Sequence, residues 1–165
     1  MGYGFPAAIG AQIACPDKVI IDIAGDGSIQ MNIQELATAV LYQIPVKIVI
    51  LNNQSLGMVR QWQHIFYNQR FSHTCTRRNI HCPPHCDRTG EHCPPEFVPN
   101  FPKLAEAYGA TGLFCNEPQK IRQQLQRMLD TPGPVILEFQ IDQAENVFPM
   151  VPAGAALNEM IRGIA

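Results

Sequence analysis

Apolar runs of five to eight residues alternate along the chain with stretches in which apolar residues recur every three or four positions. Residues 18–24 (KVIIDIA), 46–51 (VKIVIL) and 134–141 (PVILEFQI) are rich in β-branched side chains. Runs of this kind are typical of strands that are buried on both faces of a parallel sheet. A shorter run at residues 111–115 is predicted as a further strand. The pattern therefore predicts a sheet-containing domain with four strands.

Helices are predicted between these strands. Asn32, with Glu35 three residues later, has the pattern of a capping box before the first of them. Residues 57–68 form the second, and Gly109 is expected to end the third, residues 101–108. Strand, helix and strand in this order predict right-handed crossovers, so the fold class is α/β with a doubly wound parallel sheet. The positions expected to face the core are Ile33, Leu36, Ala37, Val40 and Leu41 in the first helix and Ile121, Leu125, Met128 and Leu129 in the last.

Two stretches lack an apolar period. Residues 71–100, rich in Cys, His and Pro, are predicted as an irregular insertion, and residues 142–165 as a tail rich in Pro, Gly and Ala. The remaining elements fit one domain spanning residues 1–165. Cys15 and Cys115 fall in regular elements and are expected to be buried as small apolar residues.

The net charge and the fraction of charged residues argue against some classes of function. The net charge is −2, so we expect neither a nucleic-acid partner nor a membrane surface, and no apolar run is long enough for a membrane span. Only 16% of the residues are charged, against about 25% in an ordinary soluble domain, which predicts that other protein covers part of the surface. Without an export signal, six cysteines favour the cytoplasm, or an organelle if a transit peptide lies upstream.

One pair of motifs carries chemistry. Gly25-Asp26-Gly27 follows the first predicted strand, and Asn52-Asn53 follows the second after 24 intervening residues. Open α/β sheets bind ligands beyond the carboxyl ends of their strands. Asp26 offers a carboxylate oxygen and Asn53 an amide oxygen, both suited to Mg²⁺, and glycine lets the backbone approach a diphosphate closely. Taken alone, Gly-Asp-Gly is as typical of an ordinary turn; the spacing of the two halves favours a metal and diphosphate site.

This spacing is the signature of thiamine-diphosphate enzymes, and the chain resembles that family. Residues 1–11 (MGYGFPAAIGA) are similar to the segment that leads into the metal strand in the acetolactate synthase (acetohydroxyacid synthase) family. Residues 56–63 (LGMVRQWQ) resemble the active-site helix of that family, and residues 148–152 (FPMVP), with 154–156 (GAA), resemble its carboxy-terminal tail, which folds over the site. The resemblance implies the thiamine-diphosphate-binding fold.

The resemblance also implies roles for particular residues. Asp26, Asn53 and the backbone carbonyl of Ser55 would hold Mg²⁺, and Trp62 would shape the pocket for the second 2-keto acid. Met58 would line the pocket beside the cofactor, although Met58, Val59 and Trp62 would otherwise be interpreted as core residues of a helix. The residues expected to contact thiamine diphosphate are Met1, Gly25, Asp26, Gly27, Ser28, Asn53, Ser55, Gly57 and Met58.

The implied reaction condenses pyruvate with a second 2-keto acid, with loss of carbon dioxide, to 2-acetolactate or 2-aceto-2-hydroxybutyrate in branched-chain amino-acid biosynthesis. The family also has a pyrimidine-binding domain, which supplies an activating glutamate, and a middle domain that holds FAD. Because neither can fit in 165 residues, we expect this chain to be an incomplete enzyme that is inactive alone. The family further implies a homo-oligomer, a dimer or tetramer, with or without a regulatory subunit.

Other functions remain open at this stage. A related thiamine-diphosphate enzyme of the pyruvate oxidase, glyoxylate carboligase or sulfoacetaldehyde acetyltransferase type would share the metal motif. A non-catalytic zinc-binding or interaction module is the alternative from another class, based on the insertion. There Cys82 and Cys86 have zinc-ligand spacing, while the gaps to Cys75 and Cys93 fit no common zinc finger. These four cysteines are the candidate Zn²⁺ ligands, and an exposed insertion with free thiols is the competing interpretation.

Overall fold

The computed structural model describes residues 1–76 and 99–163. Within them lies a parallel sheet of four strands: β1 (Ile21–Gly25), β2 (Lys47–Asn52), β3 (Thr111–Cys115) and β4 (Val135–Gln140). The order across the sheet is β1-β2-β4-β3, and each neighbouring pair is parallel. The chain therefore moves from the centre to one edge after β2 and returns to the middle of the sheet with β4.

In the described residues, six α-helices connect or flank these strands. They are α1 (Gly4–Ala14), α2 (Asp26–Ile29), α3 (Leu36–Leu41), α4 (Gly57–Phe66), α5 (Phe101–Tyr108) and α6 (Ile121–Asp130). The 3-10 segment Gln30–Glu35 joins α2 to α3. None of the helices in the described part of the chain is long and apolar enough to cross a membrane.

Helices pack on both faces of the sheet, as the predicted fold class requires. On one face Ile48, Ile50 and Ile136 contact residues of α1, α3 and α5, with Leu36 and Phe101 fully buried among them. The other face is covered over β3 and β4 by α6, whose Met128 is fully buried. The α/β architecture with a parallel sheet is confirmed.

The strand β1 departs from its prediction. Its side chains alternate between buried and exposed, because Ile21 and Ile23 are 45% and 69% exposed while Asp22 and Ala24 lie on the covered face. The apolar run 18–24 predicted a strand buried on both faces, and that prediction is wrong for this part of the chain. Helix α6 lies over β3 and β4 and does not reach β1. The open face of β1 is an apolar surface.

The first predicted helix also differs from the structure. Asn32 has a non-helical backbone conformation and donates its side-chain amide to the carbonyl of Gly2, so it forms no capping box. The helical α3 begins only at Leu36, and it buries Leu36 and Ala39, leaving Ala37 exposed and Leu41 75% exposed. The contact with Gly2 overrides the local signal, because it requires a kink at position 32.

A close approach fixes α1 against the sheet, and a left-handed glycine ends α5. Gly4 lies directly over the side chain of Asp22, and a Cβ atom at position 4 would collide with the Asp22 carboxylate. Helix α5 ends at Gly109, whose φ of 87° is left-handed, as predicted. The predicted burial of the cysteines holds for Cys115, which is 5% exposed, but is wrong for Cys15, which follows α1 and is exposed.

Candidate metal and cofactor site

The two halves of the metal motif meet at one edge of the sheet. Strands β1 and β2 are adjacent and parallel, and Gly25 is paired with Leu51 in register. Asp26 therefore leaves β1 beside the end of β2, where Asn52 and Asn53 follow. This is the carboxyl edge of the sheet, at which α/β folds bind ligands.

Asp26 is a buried carboxylate, only 1% exposed. Its Oδ2 accepts a hydrogen bond of 3.0 Å from Oγ1 of Thr76. Burial raises the pKa of the Asp26 carboxyl, and hydrogen bonds from Thr76 and from the backbone N–H groups of Asp26 and Gly27 act in the opposite direction. The chain contributes no cation to this carboxylate among the ion pairs of its described residues. A bound cation would stabilise its charged form.

Thr76 reaches Asp26 because its segment pairs with the loop after β2. Ser55 and Cys75 form an antiparallel bridge, flanked by hydrogen bonds from Leu56 N–H to the Thr74 carbonyl (2.8 Å) and from Thr76 N–H to the Gln54 carbonyl (3.0 Å). In such a pair the N–H and carbonyl of the central residue both point away from the partner strand. The Ser55 N–H accordingly donates to Oδ1 of Asn53 at 3.1 Å. The carbonyl of Ser55 is thus turned to the side on which Asn53 lies.

These three oxygen donors fit a hard divalent cation. All three lie at one edge of the sheet: the Asp26 carboxylate at the start of α2, and the Asn53 amide oxygen and the Ser55 carbonyl in the loop after β2, where Ser55 is 2% exposed. Mg²⁺ prefers carboxylate and carbonyl oxygens and commonly completes its shell with phosphate oxygens and water. The donor set therefore fits a magnesium ion that is shared with a diphosphate.

Gly27 packs closely against the loop that follows β2. A Cβ atom at Gly27 would lie 2.6 Å from Cδ2 of Leu56 and 3.7 Å from Cε of Met1. Ser28 is joined to the same region, since its Oγ accepts a hydrogen bond of 3.1 Å from the Gly2 N–H. The residues at the beginning of the chain therefore lie beside the segment that carries Asp26.

The family model described as "Thiamine pyrophosphate enzyme, C-terminal TPP binding domain" matches residues 1–139. The chain belongs to this family. The match covers the four-strand core apart from the end of β4, and with it both halves of the motif. Both parts of the pattern, Gly-Asp-Gly and Asn-Asn, therefore lie within a thiamine-pyrophosphate-binding domain.

Similar proteins share one name. The chain is 47% identical over 165 residues to the acetolactate synthase large subunit of Pyropia yezoensis, covering all of this chain and 25% of that protein. It is 41% identical over 165 residues to the acetolactate synthase isozyme 2 large subunit of Escherichia coli K12, covering 27% of that protein. With acetolactate synthase 2, chloroplastic, of Nicotiana tabacum it shares 43% identity over 161 residues, which are 98% of this chain and 22% of the relative. The chain spans about a quarter of the length of these relatives.

In this thiamine-pyrophosphate-binding domain, α4 presents large apolar side chains to the surface. Met58 and Val59 are each 47% exposed and Trp62 is 46% exposed, with its ring edge-to-face against Phe66 at 6.4 Å. Their interpretation as core residues is therefore wrong. They form an open apolar surface directly after the loop of residues 53–56, which carries the candidate metal ligands Asn53 and Ser55 and is called the metal loop below. This is the place where the resemblance expects the substrate pocket.

The residue of α4 that is buried is Gln61, 1% exposed. Its side chain is bound on both sides by the tail: Oε1 accepts from the Val147 N–H at 2.7 Å, and Nε2 donates to the Val147 carbonyl at 2.9 Å. A second contact runs from Gln143 Nε2 to Oγ of Ser55 at 3.0 Å. The tail is thus attached both to α4 and to the metal loop.

Glu138, Thr76, Gln61 and Gln143 were not among the predicted site residues. Glu138 carried a signal, because an acidic residue stands in the middle of the apolar run 134–141. Its pKa is raised by burial and by the charge of Asp26, against a hydrogen bond from Asn52. The other three are polar residues in loops or on a helix, and their partners lie 50 or more residues away along the chain. No local pattern marks such contacts.

The zinc hypothesis concerns four cysteines, of which Cys82, Cys86 and Cys93 lie outside the described residues. Cys75 is described, and it is a partly buried free thiol in the bridge to Ser55. Across residues 1–76 and 99–163 there is no group of three metal-ligating His, Cys, Asp or Glu side chains. Zinc binding by the insertion stays a prediction.

Proposed function

We propose that this chain forms the diphosphate- and Mg²⁺-binding part of an acetolactate synthase. The observation that carries the proposal is the junction of Asp26, Asn53 and the Ser55 carbonyl at one sheet edge, in a chain that belongs to the thiamine-pyrophosphate-binding family. The shared name of the relatives favours acetolactate synthase over pyruvate oxidase, glyoxylate carboligase or sulfoacetaldehyde acetyltransferase.

The position of each residue suggests its role in binding the metal and the cofactor. Asp26, Asn53 and the Ser55 carbonyl hold Mg²⁺, and through it the diphosphate, while Gly25, Gly27 and Ser28 contact the diphosphate directly. Thiamine diphosphate, when bound, supplies the carbon nucleophile of the reaction. Met1, Gly57 and Met58 line its position, and anchoring of this kind can lower a barrier by several kcal/mol because the reacting groups are already oriented.

Trp62 would discriminate between second substrates. It projects from α4 as a half-exposed aromatic wall, five residues beyond the start of the helix that follows the metal loop. The tail bound by Gln61 lies against the same helix and would exclude water from the pocket. On this basis we assign pyruvate and a second 2-keto acid as substrates, with 2-acetolactate or 2-aceto-2-hydroxybutyrate as products.

The remaining parts of the enzyme would come from outside these 165 residues. We propose that a pyrimidine-binding domain supplies the activating glutamate, that a middle domain holds FAD, and that the enzyme is a homo-oligomer with or without a regulatory subunit. The open apolar face of β1 and the exposed surface of α4 are consistent with coverage by further protein. A cytoplasmic or an organellar enzyme would both fit, since one relative is named chloroplastic.

The test replaces the matching 165 residues of the Escherichia coli isozyme 2 large subunit by this chain and assays acetolactate formation from pyruvate with Mg²⁺, thiamine diphosphate and FAD. The chimera should form acetolactate, and the 165-residue chain alone should not. Robust acetolactate formation by the chain alone would show that no further domain is needed. A chimera that assembles and binds thiamine diphosphate but makes a different product from pyruvate would favour one of the sister enzymes.

A further inference from the structure

An acidic residue interrupts the most deeply buried strand of the sheet. In β4 the side chains from Val135 to Phe139 are all buried, and Glu138, at 7% exposed, is the charged one among them. Burying a carboxylate costs several kcal/mol unless it is hydrogen-bonded. Here Oε1 of Glu138 accepts a hydrogen bond of 2.6 Å from Nδ2 of Asn52. An apolar residue would fill the position more cheaply, so the carboxylate has a role other than packing.

That hydrogen bond connects Glu138 to the residue that precedes the metal loop. Asn52 is the last residue of β2 and directly precedes Asn53. Its Nδ2 is held by Glu138, and its Oδ1 accepts a hydrogen bond of 2.9 Å from the Gln54 N–H. Gln54 has a left-handed backbone, with φ 58°, where the loop turns toward Ser55. The Asn52 side chain thereby fixes this turn from inside the sheet, and Glu138 fixes the Asn52 side chain.

We propose that Glu138 is a positioning residue of the metal site, which acts through Asn52 to set where the Asn53 amide and the Ser55 carbonyl lie. The inference rests on the proposed function, since those two groups are its metal ligands. Partners that orient ligands from behind in this way typically change metal affinity by about 10- to 100-fold when they are removed.

Glu138 also contributes charge. Asp26 and Glu138 lie close enough that the charge of Asp26 raises the pKa of Glu138, although burial is the larger cause and the bond from Asn52 opposes both. Two buried carboxylates that repel one another are both stabilised when a divalent cation enters beside them. Glutamine at position 138 keeps an oxygen that can accept from Asn52 and removes only the charge, whereas leucine removes both.

The experiment measures Mn²⁺ binding to the chimeric enzyme that carries this chain, in the presence of thiamine diphosphate, with free Mn²⁺ followed by electron paramagnetic resonance. Glu138→Leu and Asn52→Ala should each weaken Mn²⁺ binding about tenfold or more. The double variant should be no weaker than the more severe single variant, because both remove the same bond. Glu138→Gln should fall between Glu138→Leu and the parent chain.

Lys47→Met is the matched control. Lys47 is a buried polar residue at the other end of β2, 4% exposed, and its Nζ donates to the carbonyls of Thr131 (2.6 Å) and Gly133 (2.7 Å). Its loss should lower the melting temperature and leave Mn²⁺ affinity unchanged. If Glu138→Leu does not fold, Mn²⁺ binding by Glu138→Gln and Asn52→Ala tests the positioning role of Glu138. Variants that bind Mn²⁺ within twofold of the parent chimera would overturn the inference alone, and a folded parent chimera without Mn²⁺ binding would overturn the proposed function with it.

Discussion

The hydroxyl group of Thr76 donates a 3.0 Å hydrogen bond to the carboxylate of Asp26, 50 residues earlier in the chain. Thr76 is held in turn by its N–H, which donates to the Gln54 carbonyl of the metal loop. One residue therefore joins the two halves of the motif, although it belongs to neither. The loop after α4 is part of the architecture of the metal site.

Replacing Thr76 should change the pH dependence of metal binding. The bond from its hydroxyl lowers the pKa of Asp26, so Thr76→Val should raise that pKa and let protons compete with the metal up to a higher pH. The measurement is Mn²⁺ affinity in the presence of thiamine diphosphate as a function of pH. Thr76→Ser keeps the hydroxyl and should retain the parent profile, and identical profiles for valine and serine would contradict this role.

Asp26→Asn should abolish metal-dependent cofactor binding while stabilising the metal-free chain. Burial raises the pKa of Asp26 above 3.8, its ordinary value, so the folded state binds more protons than the unfolded state between the two pKa values. The free energy of unfolding therefore falls as pH rises through that interval, and the ionised group is unfavourable above it. At neutral pH we expect Asp26→Asn to melt at a higher temperature than the parent chain. The difference should be about 2–4 °C for each kcal/mol gained in the free energy of unfolding.

The comparison is made by thermal denaturation of the metal-free chain at several pH values, together with calorimetric titration of Mg²⁺ and thiamine diphosphate. The gain from Asp26→Asn should shrink as the pH is lowered through the titration of Asp26. Asp22 and Glu138, whose pKa values burial also raises, act in the same direction in the parent chain. Retained Mg²⁺-dependent binding by the variant would remove Asp26 from the metal site.

Gln61→Ala should release the tail from α4. The variant removes both hydrogen bonds between the Gln61 side chain and the Val147 backbone, and the net loss of one hydrogen bond typically costs about 0.5–1.5 kcal/mol. Residues 142–163 should then exchange amide hydrogens faster and be cleaved sooner by protease. Gln63→Ala is the control, since Gln63 lies on the same helix but binds Ser72 instead. Equal protection of the tail in both variants would mean that Gln61 does not hold it.

Trp62→Leu should alter the choice of the second substrate in the chimeric enzyme. Removing half-exposed aromatic surface from the pocket wall changes discrimination between side chains that differ by a methylene group by about 1–3 kcal/mol. In a competition assay the ratio of 2-aceto-2-hydroxybutyrate to 2-acetolactate should shift while acetolactate is still formed. Phe66→Leu, which removes the ring that packs against Trp62, is the control. It distinguishes an effect of losing the indole from an effect of disturbing the helix. An unchanged product ratio for Trp62→Leu would exclude the assignment.

Elements dominated by local patterns could be predicted from the sequence. The strands β2, β3 and β4 and the helix α5 with its terminal Gly109 lie within a residue or two of their predicted bounds. The apolar runs of β2 and β4 are mostly buried, so local preference and tertiary packing agree there. Two of the failures occur where a distant contact competes with the local signal. Asn32 does not cap a helix, because its side chain donates a hydrogen bond to the Gly2 carbonyl. Helix α4 buries the polar Gln61, because the tail supplies hydrogen-bond partners for its side chain.

The candidate site likewise contains residues that could be predicted from the sequence and residues that could not. Asp26 and Asn53 could be found because adjacent parallel strands bring their carboxyl ends together wherever the intervening chain is folded as strand, helix and strand. Thr76 and Glu138 could not be assigned, since their roles depend on the pairing of residues 54–56 with 74–76 and on the insertion of β4 beside β2. Both are consequences of the full topology.

The close approach of Gly4 to Asp22 constrains how this domain can diverge. Alanine at position 4 would place its methyl group on the Asp22 carboxylate, and Asp22 cannot turn away because it lies buried in β1 beneath α1. The two positions can therefore change only as a pair, with a smaller residue at 22 preceding any side chain at 4. Aligned sequences of the domain should show this ordered covariation, with the combination of alanine at 4 and aspartate at 22 depleted among them.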